Sequence, residues 1–233
     1  MKTGMFKYSL LAATMAFSGL TMAANPSTTL LVKGQVSTGT CTATLDTPNI
    51  DLGTISTDKL PATGSYAAIT FNSAKRFSLL VNCTSPLKYE ISLTDNRADS
   101  AIPASETSEN YEGRVFGLGK ASDGTTNIGG YELYVEYYYE SGTKKASITR
   151  LPEDGSPWVS STQGVTLTPI NNALGFTNNR MYQAMAEPGT LEPMASQAAE
   201  FQYRIAAFIS SGLGSITDQE NVDGNMTFNI DYL

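Results

Sequence analysis

The chain has 233 residues, 41% of them hydrophobic, 16% charged and 9% aromatic, which supplies enough apolar material for a core and too little charge for a disordered chain. It contains no histidine, which removes Ser-His-Asp and Cys-His catalysis, imidazole metal ligation and histidine pH switching. Fifteen basic residues against 22 acidic ones leave a net charge of −7, which repels a phosphate backbone and argues against nucleic-acid binding.

Lys2 and Lys7 precede an apolar run from Leu10 to Leu20, and the small residues Ala23 and Ala24 follow. A basic start, a short apolar stretch and a small-residue exit predict a secretory signal peptide over 1–23, cut after Ala23 or, as the neighbouring choice, after Ala24. A retained anchor is the rival reading, although the run is short for a bilayer. Losing Lys2 and Lys7 takes the net charge from −7 to −9. No later stretch is long and apolar enough to span a membrane, so the expected product is exported and soluble. Export favours joining the two cysteines, Cys41 and Cys83. Closing a loop of about 43 residues contributes about 4 kcal/mol in the chain-entropy account. The alternative, a reactive thiol, lacks a histidine to activate it.

Between the leader and Cys41, residues 24–36 read as an extended segment. Thr28, Leu30, Val32, Gly34 and Val36 share one side, and Leu31 breaks the pattern on the other. Terminal segments are loose unless a sheet ties them down. This one is either the first strand of its own sheet or a strand seeking another edge.

Downstream, period-two alternation dominates. Phe77, Leu79, Val81 and Cys83 form one row, and Tyr89, Ile91 and Leu93 another, after the turn-like Thr84-Ser85-Pro86. Tyr131, Leu133, Val135, Tyr137 and Tyr139 form a third row, interleaved with Glu132, Tyr134, Glu136, Tyr138 and Glu140. A fourth comprises Phe201, Tyr203, Ile205, Ala207 and Ile209. Rows of this kind predict sheets with one face buried and one wet. Turn signals fall at Asp123-Gly124, Gly129-Gly130, Ser141-Gly142 and Asp154-Gly155. Pro193 to Glu200 reads as a helical turn, and Asp95 to Glu112 and Leu151 to Pro193 read as long connections or insertions. Residues 37–233 are therefore expected to form one all-β antiparallel sandwich, with a second, adhesin-like domain as the competing arrangement. The chain ends on an alternating strand whose apolar positions are Met226, Phe228, Ile230 and Tyr232, followed by Leu233.

A cleaved leader, a Val-x-Gly-x-Val extension (Val32 to Val36), Cys41, the stretch Asn49 to Ile55, Cys83 and the terminal strand Phe228 to Leu233 together resemble chaperone–usher pilus subunits. The segments Leu93-Thr94-Asp95-Asn96-Arg97 and Phe116-Gly117-Leu118-Gly119 look most like an uncharacterised fimbrial-subunit-like branch of that superfamily. The chain is longer than a typical major pilin, and Glu220 stands fourteenth from the end, where pilins often carry glycine. The resemblance implies an immunoglobulin-like sandwich lacking its last strand, with a groove beside Met226, Phe228, Ile230, Tyr232 and Leu233. A periplasmic chaperone would lend a strand there, its basic residues anchoring the Leu233 carboxylate. At the outer-membrane usher another subunit's extension would replace it, so the expected partners are chaperone, usher and other pilus subunits, at the cell surface. Thr28, Leu30, Val32, Gly34 and Val36 would form the donor strand, with Gly34 where the groove has no room for a side chain. Tyr232 is either a register-setting partner contact or simply the last core aromatic.

The function expected is a structural pilus subunit polymerising by strand exchange. The alternative is a fimbrial adhesin that binds a glycan through its loops or the tyrosine-rich strand. No enzyme, catalytic residue, cofactor or metal site is expected. Gln219-x-Asn221-x-Asp223-Gly224 echoes a calcium loop but lacks an acidic first ligand, and Ile230 takes the place of the bidentate glutamate. The sequons at Asn82 and Asn225 fall in expected strands. Glu106 and Glu109 read as solvated, and Trp158 as either a binding residue or a loop plug.

Overall fold

The alternating rows become strands in the computed structural model, which describes residues 39–56, 66–68, 75–102, 114–151, 155–170, 181–210, 212–213 and 219–233. The expected leader (1–23) and extension (24–36), with all five donor positions, lie outside these residues, as do Glu106 and Glu109. In chain order the strands are β1 (Cys41–Leu45), β2 (Tyr66–Ala68), β3 (Lys75–Leu87), β4 (Tyr89–Asp95), β5 (Phe116–Gly117) and β6 (Gly129–Glu140). There follow β7 (Thr143–Arg150), β8 (Val159–Ser161), β9 (Thr166–Leu167), β10 (Tyr182–Ala186), β11 (Ser196–Ser210) and β12 (Met226–Tyr232). A 3-10 turn spans Ala98–Ser100. Thr38–Leu233 make one compact unit.

Every pairing between these strands is antiparallel, and the main path runs β1-β3-β11-β6-β7-β10-β4-β12. The fold is the expected all-β one, an antiparallel sheet curled almost shut into a sandwich, consistent with an immunoglobulin-like fold. One layer holds β1, β3, β11 and β6; the other holds β7, β10, β4 and β12. The layers join at the β6–β7 hairpin, where Ser141 (φ 47°) and Gly142 (φ 80°) form a two-residue turn with both residues left-handed, the backbone such hairpins require. Between the layers lie Phe77, Leu79 and Val81 of β3, Ile91 and Leu93 of β4, and Phe201 and Tyr203 of β11, all buried. Rings pack within a layer, Tyr138 on Phe201 at 4.7 Å and Phe77 on Tyr203 at 5.5 Å, and across the layers, Tyr89 of β4 on Phe201 at 6.3 Å.

Several local expectations are corrected. The tyrosine row of β6 does not hold one face. Tyr203 pairs Val135 but Phe201 pairs Tyr138, so β6 carries one extra residue between them. A bulge of this kind reverses the facing of everything beyond it. Tyr131, Leu133, Val135 and then Tyr138 are buried, whereas Tyr137 and Tyr139 are only half-buried. The opposite face is not wet either, since Glu132 and Glu136 are buried. Gly129-Gly130 is not a turn but the start of β6; a Cβ on Gly129 would stand 2.2 Å from the Phe208 carbonyl oxygen. Thr84-Ser85-Pro86 continues β3 instead of breaking it. Proline is tolerated there because the ladder to β1 stops at Cys83 and that to β11 is irregular near Ser196. Pro193 to Glu200 is no helix: from Ser196 it is β11, where pairing to β3 overrides local helical preference. The stretch 151–193 is no mere insertion, since β10 bridges β7 to β4.

Candidate functional site

The two ends of the strand path are β1 and β12, and the site lies between them. β1 pairs β3, with Cys41 opposite Cys83, Ala43 opposite Val81 and Leu45 opposite Leu79. β12 pairs β4, with Phe228 opposite Leu93, Ile230 opposite Ile91 and Tyr232 opposite Tyr89. Directly opposed residues in an antiparallel pair point to the same face. Val81, Leu79, Leu93 and Ile91 are at most 1% exposed, yet their inward-pointing partners Ala43, Leu45, Phe228 and Ile230 are half-buried or exposed. Among the described residues no strand pairs the outer edge of β1 or of β12.

A cleft of about 640 Å³ opens between these edges. Its floor includes Phe77, Tyr131, Ile205, Ala207 and Ile209, and one wall is Thr47–Ile55, with Ile50, Leu52 and Ile55 against the core. The other wall is 219–225 with Met226 and Phe228. Phe228 fills one side only, its ring 5.5 Å from Tyr203 and 6.0 Å from Phe77. The cleft is roughly four times the ~150 Å³ that houses one benzene-sized group, which is space for several aliphatic side chains. At the other end the seam is stitched: the Cys41 amide donates to the Tyr232 hydroxyl at 2.8 Å, and the Cys41–Cys83 disulfide ties β1 to β3. The Leu233 amide donates to the Lys88 carbonyl at 3.0 Å, leaving its side chain 58% exposed.

The outward row of β12 holds the strand to β4 through a polar ladder. Asn229 donates to Thr94 Oγ1 at 3.0 Å, Ser92 to Asp231 at 3.2 Å, and Asn96 to Thr227 at 3.0 Å. Asp95 is buried at the end of β4, where desolvation raises its pKa despite hydrogen bonds from the Gly117 and Arg97 amides, both at 2.8 Å.

The remaining candidates lie elsewhere on the sandwich. Trp158 covers a small outer cluster of Ile148, Ala184 and Ala186, with the Arg150 guanidinium over its ring at 5.6 Å. Arg150 also forks onto the buried Glu90 carboxylate, at 2.8 and 2.6 Å. Within the calcium-loop echo, Asp223 is engaged by Arg97, and no group of three or more metal-ligating side chains occurs among the described residues. Asn82 lies in β3 and Asn225 just before β12, both exposed. Glu220 accepts from the Ser122 amide and hydroxyl at 2.8 and 2.6 Å. Glu132, which the alternation placed on a wet face, has its carboxyl pushed up to about 7 by burial, against a hydrogen bond from Tyr134 and the charges of Arg114 and Arg204. Arg204 lies 4.0 Å from the centre of the Tyr134 ring. No described helix is long and apolar enough to cross a membrane.

Residues 30–132 match a family described as "Protein of unknown function (DUF1120)". That span runs from Leu30, in the expected extension, to Glu132 in β6 and leaves out β12. No curated protein matches the chain.

Proposed function

We propose that this protein is a structural subunit of a surface pilus, an acceptor of one foreign β-strand and a donor of another. One observation carries the reading: apolar inward rows on two edges that no described strand pairs stand beside partners that are fully buried, with a cleft of apolar floor between them. A strand laid there would pair with both edges and bury Phe228 and Leu45. This is β-strand addition, of which chaperone–pilin complementation is a standing example. The expected donor is Thr28, Leu30, Val32, Gly34 and Val36 of a neighbouring copy. Burying Leu30, Val32 and Val36 contributes roughly 1.5–3 kcal/mol each. The direction of the chain supports donation to a neighbour. Thr40 accepts from the Thr84 amide at 2.9 Å, so the chain enters β1 along the edge of β3, past the stitched end.

On this reading a periplasmic chaperone and an outer-membrane usher handle the open edge, which is otherwise prone to edge-to-edge association, and the assembled product lies at the cell surface. The adhesin alternative draws less support from the tyrosine-rich strand, since Tyr138 is buried and Arg204 stacks on the half-buried Tyr134. The test is to melt the mature chain alone and with a peptide copying residues 25–36. The peptide is expected to raise the melting temperature and suppress aggregation. A chain lacking 24–36 is expected to accept the peptide yet fail to add to a polymer. An unchanged melt, or normal polymerisation of the truncated chain, overturns the proposal.

A further inference from the structure

A cleft lined in part by half-buried apolar side chains such as Leu52 and Phe228 should narrow, because closure removes them from water. The wall formed by residues 219–225 belongs to no strand, so side chains and single backbone contacts must hold it back. Arg97 Nε donates to the Asp223 carboxylate at 3.0 Å and to its carbonyl at 3.2 Å. The Asn96 amide donates to the Asn225 carbonyl at 2.9 Å, and its side chain to Asn225 Oδ1 at 2.7 Å. The Asp223 amide donates to the Leu118 carbonyl at 2.9 Å, and Ser122 grips Glu220 at the far end of the wall.

Beneath these contacts the base is stiff. The buried Asp95 carboxylate takes the Arg97 and Gly117 amides. Ser100 Oγ donates to the Arg97 carbonyl at 2.8 Å and accepts from the Gly119 amide at 2.9 Å. A Cβ on Gly117 would lie 2.2 Å from both the Arg97 carbonyl and Ser100 Oγ, a close approach that only glycine permits. The two segments that stood out in the sequence, Leu93 to Arg97 and Phe116 to Gly119, thus meet as one buried support.

We infer that Asn96, Arg97 and Ser122 are positioning residues that brace the 219–225 wall and hold the cleft at strand width before its occupant arrives. The inference rests on the strand-acceptor reading. The brace touches no incoming residue; it spares the occupant the work of prising the walls apart, which is how preorganisation raises affinity. Arg97 suits the role because its planar fork fixes direction as well as charge. Its ion pair with Asp223 is solvent-facing, and such pairs contribute little to global stability. Loss of the brace should therefore register in strand binding and not in folding.

The test measures binding of a fluorescent peptide copying residues 25–36 to the full mature protein, alongside the urea midpoint of the peptide-free protein. Arg97→Ala combined with Glu220→Ala is expected to weaken binding about tenfold and leave the midpoint in place. Arg97→Lys is expected to fall between, and amide exchange over 219–226 to quicken in the double variant. Wild-type affinity in the double variant overturns the brace alone. Affinity and midpoint falling together, with Arg97→Lys no better than Arg97→Ala, overturn it as well. A wild-type protein that ignores the peptide defeats the acceptor reading and the brace with it.

Discussion

The two seams of the sandwich are built from similar residues and end differently. On the β6–β7 side a two-residue hairpin carries the sheet around, so the inward residues nearby have neighbours on all sides. On the β1–β12 side the same kind of alternating strands meet no further strand among the described residues. Phe201 and Phe228 make the contrast concrete: both are inward-pointing phenylalanines on β-strands, yet Phe201 is wholly buried and Phe228 only half. Composition does not separate the two seams; the number of neighbouring strands does.

Substitutions at these two rings give the sharpest test. Phe201→Ala should cost about 3–5 kcal/mol, as for a large buried ring, and the same with or without the 25–36 peptide. Phe228→Ala should cost clearly less in the free protein, and its penalty should grow once the peptide is present. Urea melts in both states measure the two, and equal costs at both sites would erase the distinction between the seams. Next in size is the disulfide at the stitched end of the open seam. Replacing Cys41 and Cys83 together by alanine should lower stability by about 2–5 kcal/mol, with β1 amides exchanging first.

A third prediction concerns Glu132, which lies away from the cleft. Its folded pKa, pushed up to about 7, exceeds the ordinary 4.5, so between these values the native state holds the proton more tightly than the unfolded chain. Its contribution is complete below pH 4.5 and is lost as pH rises through 7, at up to roughly 1.4 kcal/mol per pH unit. Glu132→Gln should flatten that part of the stability profile between pH 5 and 7.5, and an unchanged profile would refute the assignment. The smallest effect is expected from Tyr232→Phe, which removes the hydrogen bond from the Cys41 amide. It should cost roughly 0.5–1.5 kcal/mol and speed exchange of that one amide.

Much of this was legible in the linear pattern. The rows at 77–83, 89–93, 201–209 and 226–232 are strands because a half-buried sheet imposes a period of two, and the expectation of export pointed to the Cys41–Cys83 bridge. The misreadings share a cause. β10 went unseen because Gln183, Ala184, Met185 and Ala186 are all buried, and a strand covered on both faces shows no alternation. The β6 bulge went unseen because a single extra residue leaves the local pattern intact while reversing its direction. The support beneath the cleft wall drew notice only as two motifs, since no spacing rule reveals that Asp95 will take the amide of Gly117.

By itself, then, the sequence determined the all-β class and the inward row of the terminal strand through short-range periodicity, and the expectation of export singled out the cysteine bridge. The tertiary structure decided which rows would be covered. Burial depends on how many strands flank an edge, and that number is a property of the closed path of the sheet, which no window of neighbouring residues contains.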